Sequence, residues 1–273
     1  MIDVGQLKAK RLAKWHLDGK SRIPGPREAV QFIEEMGVCT LFATSPEFPN
    51  LYQAHMGDAN AKTQASWDSP AGHVYTWRWD IGRPHSAFYA AIVAGKPTWV
   101  SWETLPYLLA ARMEMRTPDE LYDAGLISER AYKLACAFDD TDGVLSTREL
   151  RERGGFPTGK ESRAQYLKAL GELEALLLVA NRFSENGADD DMNHAMVDYH
   201  YRDFAERARA IGPDAGLVGL LERYLPSAVF IEPKTFARHL RLGPDALEAA
   251  VSELVAAGKA VRAHGLVVHP DAN

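Results

Sequence analysis

The sequence predicts a mostly helical α+β fold built of tandem winged-helix units, and three observations carry that expectation. A helix-turn-helix followed by a two-stranded hairpin is written out twice in the C-terminal half. Helix caps and breakers punctuate the text sharply from Thr117 onward. A chain of 273 residues with 46% apolar content can also bury a sizeable core without a disulfide or metal staple. The expected division is a domain over 1-127 that contains a degenerate third winged helix, a winged helix over 128-201, and a C-terminal winged helix over 202-273.

From the start of the chain, residues 4–17 place Leu7, Arg11, Lys14 and Trp15 at helical spacing, and Ile23-Pro24-Gly25-Pro26 breaks the pattern. A second helix over 27–36 ends at Gly37, and the apolar run 38–42 suits a buried strand that Pro46 and Pro49 stop. Residues 50–102 hold five of the six tryptophans among many turn residues, so an irregular, aromatic-packed region is expected there. Thr117-Pro118-Asp119-Glu120 then opens a short helix with a cap, a first-turn proline and acidic residues. A helix follows over 128–138, and Ser146 to Glu149 has capping-box spacing for the next. After Gly154-Gly155, residues 159–175 read as a helix, and 176–183 meets 192–199 as a hairpin across a polar loop. The same order recurs in helices over 216–224, 234–240 and 244–257, then a hairpin turning at His264-Gly265.

Composition narrows the function classes. Cys39 and Cys136 match no zinc or redox spacing and read as small buried apolar residues, and no residues suggest a metal or a cofactor. The N-terminus lacks the order of a signal peptide and no apolar run approaches the roughly 18 residues of a membrane span, so the expected location is the cytoplasm, away from membranes. A net charge of −6 argues against coating nucleic acid through bulk charge. Its distribution is uneven. Residues 1–27 carry seven basic residues against two acidic, whereas 184–214 carry eight acids, including Asp189, Asp190 and Asp191, against three arginines. A basic arm on an acidic body suits phosphate contact at one end; a solvated helix face has the same composition.

In a helix-turn-helix the second helix offers its N-terminal residues to the major groove while flanking residues grip phosphates. The first clear unit places Thr158, Lys160, Ser162, Arg163 and Gln165 there, with Arg151, Arg153 and Arg182 on its flanks. The second offers Arg238, Arg241 and the wing residues Lys259, Arg262 and His264, but its helix starts with Asp245 and Glu248, which suits a structural or pairing module. The candidate DNA-contacting set is therefore Lys10, Arg11, Lys14, Arg78, Arg83, Lys160, Ser162, Arg163, Arg182, Arg238 and Arg262, and the expected partner is double-stranded DNA, with the oligomeric state open. Trp77-Arg78-Trp79-Asp80 with Arg83, His85 and Tyr89 groups the residue types that hold an unpaired base; the same rings could equally fill a core. Asp140, Asp142, Gly143 and Glu149 fall at calcium-loop positions, but Phe138 stands at the first, so an ordinary turn is the better reading.

The runs Met36-Gly37-Val38-Cys39-Thr40-Leu41-Phe42, Phe48-Pro49-Asn50-Leu51-Tyr52-Gln53-Ala54-His55 and Trp99 to Tyr107, followed by paired winged helices, resemble the AlkZ-related proteins, relatives of the AlkZ/YcaQ DNA glycosylases. The resemblance implies winged helices in tandem around duplex DNA, and a Gln-x-Gln or Gln-x-Asp motif that could position water against the sugar of an alkylated nucleotide. The corresponding stretch, Val38 to Phe42, has neither amide nor carboxylate. Gln53 and His55 lie nearby, and Asp80 or Glu103 could substitute, but none matches the motif. The expectation is a repair-associated DNA-binding protein with doubtful glycosylase activity; the alternative is a non-enzymatic regulator or interaction scaffold.

Overall fold

A computed structural model describes residues 3–64, 66–185 and 192–272 of the chain. Helix α1 (Val4–Lys14) starts at Asp3, whose carboxylate accepts from the Gly5 N–H. The first unit follows: α2 (Pro26–Met36), β1 (Val38–Thr40), α3 (Leu51–Met56), α4 (Pro70–Gly82), β2 (Phe88–Val93) and β3 (Lys96–Val100). Gly37, at φ +73°, ends α2 and turns the chain straight into β1, where a Cβ would stand 2.8 Å from Thr104 Oγ1. β3 pairs antiparallel with both β1 and β2, through Val38↔Val100 and Phe88↔Val100. Residues 50–102 thus hold two helices and two strands where an irregular region was expected, while 57–69 form no helix or strand among the described residues. The apolar spacing in α4 is helical, with Ala71, Val74, Trp77 and Ile81 inward. His73, Thr76 and Asp80 form its exposed stripe, which the half-buried rings of Tyr75 and Trp79 flank and so obscure in the sequence.

After α5 (Leu105–Arg112) the same succession recurs. α6 (Pro118–Asp123) and α7 (Glu129–Cys136) precede β4 (Val144–Ser146), α8 (Thr147–Arg153), α9 (Lys160–Ala175), β5 (Val179–Arg182) and β6 (Asn193–Met196). β6 pairs with β4 and β5, and Tyr89↔Asn181 joins β5 to β2, giving one six-stranded sheet in the order β1-β3-β2-β5-β6-β4. Leu121, Leu134, Leu150, Tyr166, Leu173 and Val179 form a core belonging to this unit. Cys136, read as buried in the sequence, is only half-buried. The acidic run Asp189 to Asp191 lies outside the described residues.

The chain then runs through α10 (Val197–His200), α11 (Arg202–Ile211) and α12 (Pro213–Ala228) into β7 (Phe230–Ile231), α13 (Pro233–Leu240), α14 (Pro244–Ala256), β8 (Val261–Ala263) and β9 (Leu266–Val268). β9 lies between β7 and β8, and His264-Gly265, both at positive φ, make the turn from β8 to β9. Helix, strand, helix, helix and hairpin, with the opening strand on the returning one, therefore occur three times. The first and third units share one core, joined where α12 crosses α5. Gly216 and Gly219 permit that approach, since a Cβ on either would sit 2.4 Å from Ala110 Cβ or 2.2 Å from the Tyr107 ring.

Helix α1 closes the molecule onto the C-terminal end of α12, whose last carbonyls need donors. Lys14 Nζ donates to Pro226 O at 2.7 Å, Trp15 Nε1 to Ser227 O at 3.0 Å and Arg11 Nε to Ala228 O at 2.8 Å. Arg11 also donates to Pro46 O and Phe230 O and pairs with Glu47, itself buried and accepting from the Glu232 N–H. Burial lowers the Arg11 guanidinium below its usual range and raises the Glu47 carboxyl, each charge drawing the other back. Arg11 was expected at a DNA phosphate; its side chain is instead enclosed in the interior as a helix-end cap.

Candidate functional site

An open cationic surface lies on the second unit, and its shape follows from the turn between α8 and α9. The capping box of α8 forms as the sequence implies: Glu149 N donates to Ser146 Oγ at 3.2 Å and Ser146 N to Glu149 Oε2 at 2.9 Å. Gly154 packs so tightly that a Cβ would stand 2.5 Å from Leu134, and Phe156 tucks edge-on against Tyr166. That fixed turn launches α9 with Lys160 and Arg163 exposed in its first turn. A groove of about 520 Å³ beside it is bordered by Arg130, Lys133, Lys160 and Gln165, with Glu161 as its one acid. Arg130, Arg148, Arg153, Lys160 and Arg163 are all exposed and join no salt bridge among the described residues. Ser162 also lines this groove, but it is half-buried and its Oγ is shielded without a hydrogen-bond partner. Arg151 folds back onto Pro157 O at 2.9 Å.

Arg182, on β5, is committed elsewhere. It donates to His200, reaches Glu185 at 3.1 Å and lies 3.4 Å from His85, where the sheet passes from the first unit to the second. Burial, then the Arg182 and His85 charges, hold His200 below its usual titration range. In the third unit, Arg262 is tied to Glu248, and exposed Arg238 borders a groove shared with Glu232, Asp245 and Glu248. Lys10 and Lys14 are exposed, with their ammonium groups directed to carbonyls of Ala272 and Pro226.

The four catalytic candidates do not converge. Gln53 donates to Ala59 O at 2.7 Å and accepts from Asn50 at 2.8 Å, while His55 Nδ1 meets Ile23 O at 2.8 Å with its ring edge-on to Trp77. Asp80 and Glu103 are exposed, and none of the four borders any of the five main grooves among the described residues. Val38, Cys39 and Thr40 are wholly enclosed in β1. Nor do the rings around Arg78 gather as one base-holding cluster: Trp77 and Tyr89 are core, and Arg83 follows α4 at its C-terminal end.

Instead, Arg78 is sandwiched, its guanidinium carbon 3.5 Å from the Tyr75 ring centre and 3.6 Å from that of Trp79. Tyr75 in turn meets Trp67 edge-on at 5.5 Å, and these two rings with Phe42 wall a pocket of about 340 Å³ over the first turn of α4. Sequence reasoning missed this pocket. Its walls come from three separate segments, and the available signal was a glycine, Gly72, placed where the loop carbonyls of Ser66 and Trp67 press on the helix.

Two comparisons with known proteins match. The solved structure of the Streptomyces sahachiroi DNA glycosylase AlkZ superposes with a TM-score of 0.56 at 14% identity, covering 96% of this chain and 68% of that one. That likeness is one of fold. No curated protein matches the sequence. A family profile described as AlkZ related matches residues 23–209, well over half of the chain. The chain belongs to the AlkZ-related family.

Proposed function

We propose that this is a DNA-binding protein of the repair class: three winged helices in tandem, within 1-127, 128-201 and 202-273, that recognise distorted duplex in the cytoplasm without cleaving it. The carrying observation is the unpaired cationic first turn of α9 with Arg130 and Arg148 beside it, where such a unit would meet a duplex. The thrice-repeated strand and helix order supports the winged-helix reading. Membership of the AlkZ-related family, and the fold shared with a DNA glycosylase, support the link to repair. Among the described residues no helix is long and apolar enough to cross a membrane.

Binding without cleavage rests on the stretch that resembles the glycosylase motif, which here is an enclosed strand with no amide or carboxylate. In the groove of the third unit Glu232, Asp245 and Glu248 stand against Lys234 and Arg238, which favours a packing or pairing role for that unit.

The test is titration of labelled duplex at low and then physiological salt with the parent protein and Lys160→Ala/Arg163→Ala, alongside an assay for abasic sites on alkylated duplex. The expected result is salt-dependent binding, weakened by the double substitution, with no abasic product. An absence of binding at low salt overturns the reading, and abasic product overturns the non-cleaving half of it.

A further inference from the structure

The pocket over α4 shares no lining residue with the groove beside α9, and its construction calls for a ligand. Trp67 is 68% exposed, the most exposed of the large apolar side chains among the described residues. A free indole in water normally marks either a loose loop or a contact surface. The loop here is stapled. Ser69 Oγ lies 2.6 Å from Ser66 O and 3.0 Å from Gln64 O while accepting from the Gly72 N–H. Gly72 admits the loop so closely that a Cβ would lie 2.1 Å from Trp67 O. The backbone of Trp67 is thus locked to the helix start while its ring remains in solvent.

What the pocket would accept follows from its walls. No charged side chain lines it; Thr63, Gln64 and Ser66 supply hydrogen-bonding groups, and Phe42, Trp67 and Tyr75 supply ring surface. The Arg78 guanidinium lies against the Tyr75 ring and also against that of Trp79, which stands nearly perpendicular to Tyr75, so the tyrosine ring is held by a cation and a neighbouring ring edge. Aromatic walls with a neutral, hydrogen-bonding rim suit a planar, uncharged heterocycle, and about 340 Å³ falls at the small end of ligand pockets. Nothing in the lining can act as a general base, since it contains neither carboxylate nor imidazole.

We propose that the Phe42–Trp67–Tyr75 pocket receives one unstacked nucleobase of a distorted duplex and reads it by stacking. The inference rests on the DNA-binding reading and names the ligand by which distorted duplex would be told from intact. A base stacked on an aromatic side chain is worth roughly tenfold in affinity.

The experiment compares two duplexes carrying the fluorescent base 2-aminopurine, one paired with thymine and one opposite an abasic-site analogue. The parent is expected to bind the distorted duplex about tenfold more tightly and to quench its fluorescence at saturation, since one stacked base supplies the difference. Trp67→Ala should abolish both effects and leave affinity for the paired duplex unchanged, while Trp67→Phe, which keeps a ring, should restore part of the preference. Equal affinity for the two duplexes without quenching, or full retention of both effects in Trp67→Ala, overturns this proposal alone. Binding to neither duplex overturns it together with the DNA-binding reading.

Discussion

Arg11 lies 3.4 Å from Glu47 inside the protein, and each of its three guanidinium nitrogens reaches an oxygen: Ala228 O, Pro46 O, and the Glu47 carboxylate with Phe230 O. Removing one partner of a buried pair strands the other charge, which costs about 3–5 kcal/mol. Arg11→Met is therefore expected to lower the unfolding free energy from urea titration by that order, and Glu47→Leu likewise. The double substitution should cost less than the two singles together, because neither charge is then left alone.

Two helix-interior glycines should respond with opposite sign to the same change. Gly216→Ala drives a methyl group against Ala110 at the α5–α12 crossing and is expected to destabilise by roughly 1–3 kcal/mol. Gly171 in α9 has no neighbouring atom within 4 Å of the place a methyl group would take, so Gly171→Ala should stabilise by about 0.5–1 kcal/mol. Urea unfolding of both variants checks the pair.

The second unit holds two titrating groups that oppose each other. Burial raises the Glu174 carboxyl to about 7, so the folded protein takes up that proton before the unfolded chain does. Stability from this group therefore rises as pH falls from 7 towards 4.5. Burial lowers His194 to about 4, so below pH 6.5 the unfolded chain takes the proton first and stability falls until about pH 4. Glu174→Gln should exceed the parent in stability at pH 8 by roughly 1–3 kcal/mol, with the advantage gone near pH 4.5. His194→Gln should flatten the acid side of the profile. Urea midpoints measured across pH 4 to 8 decide both.

Charge removal should separate the units. Lys160→Ala is expected to reduce the salt slope of duplex binding by about 1, as loss of one phosphate contact does. Arg262→Ala breaks only the link to Glu248 and Ser252 and should leave duplex affinity unchanged. A drop for Arg262→Ala equal to that for Lys160→Ala would place DNA across the third unit as well.

Where helix ends carry their own chemistry, the sequence announces them. The boxes Thr117–Glu120 and Ser146–Glu149 and the His264–Gly265 turn need only neighbours a few residues away. Helix α11 was missed because its ten residues fall inside the acid-rich stretch 184–214, although Phe204, Ala205, Ala208 and Ile211 form a short inward face at helical spacing. Arg11 was misread for a different reason. Leu7, Arg11 and Trp15 fall four residues apart, which sets a cation in the middle of an apolar stripe, but its partners at Glu47 and Ala228 are fixed only by the tertiary fold. The Trp67 pocket was illegible for the same cause: the loop after β1, the loop before α4 and α4 itself each contribute one ring.

The end-cap formed by α1 also sets an order of events at the ribosome. Arg11 and the carbonyl of Ala228 are 217 residues apart, so α1 emerges long before the helix end it closes has been made. Until α12 is synthesised, the apolar stripe of α1 and the side of α5 against which Gly216 and Gly219 lie have nothing to cover them. The nascent N-terminal unit is thus an open half until α12 and the strand after it close over it.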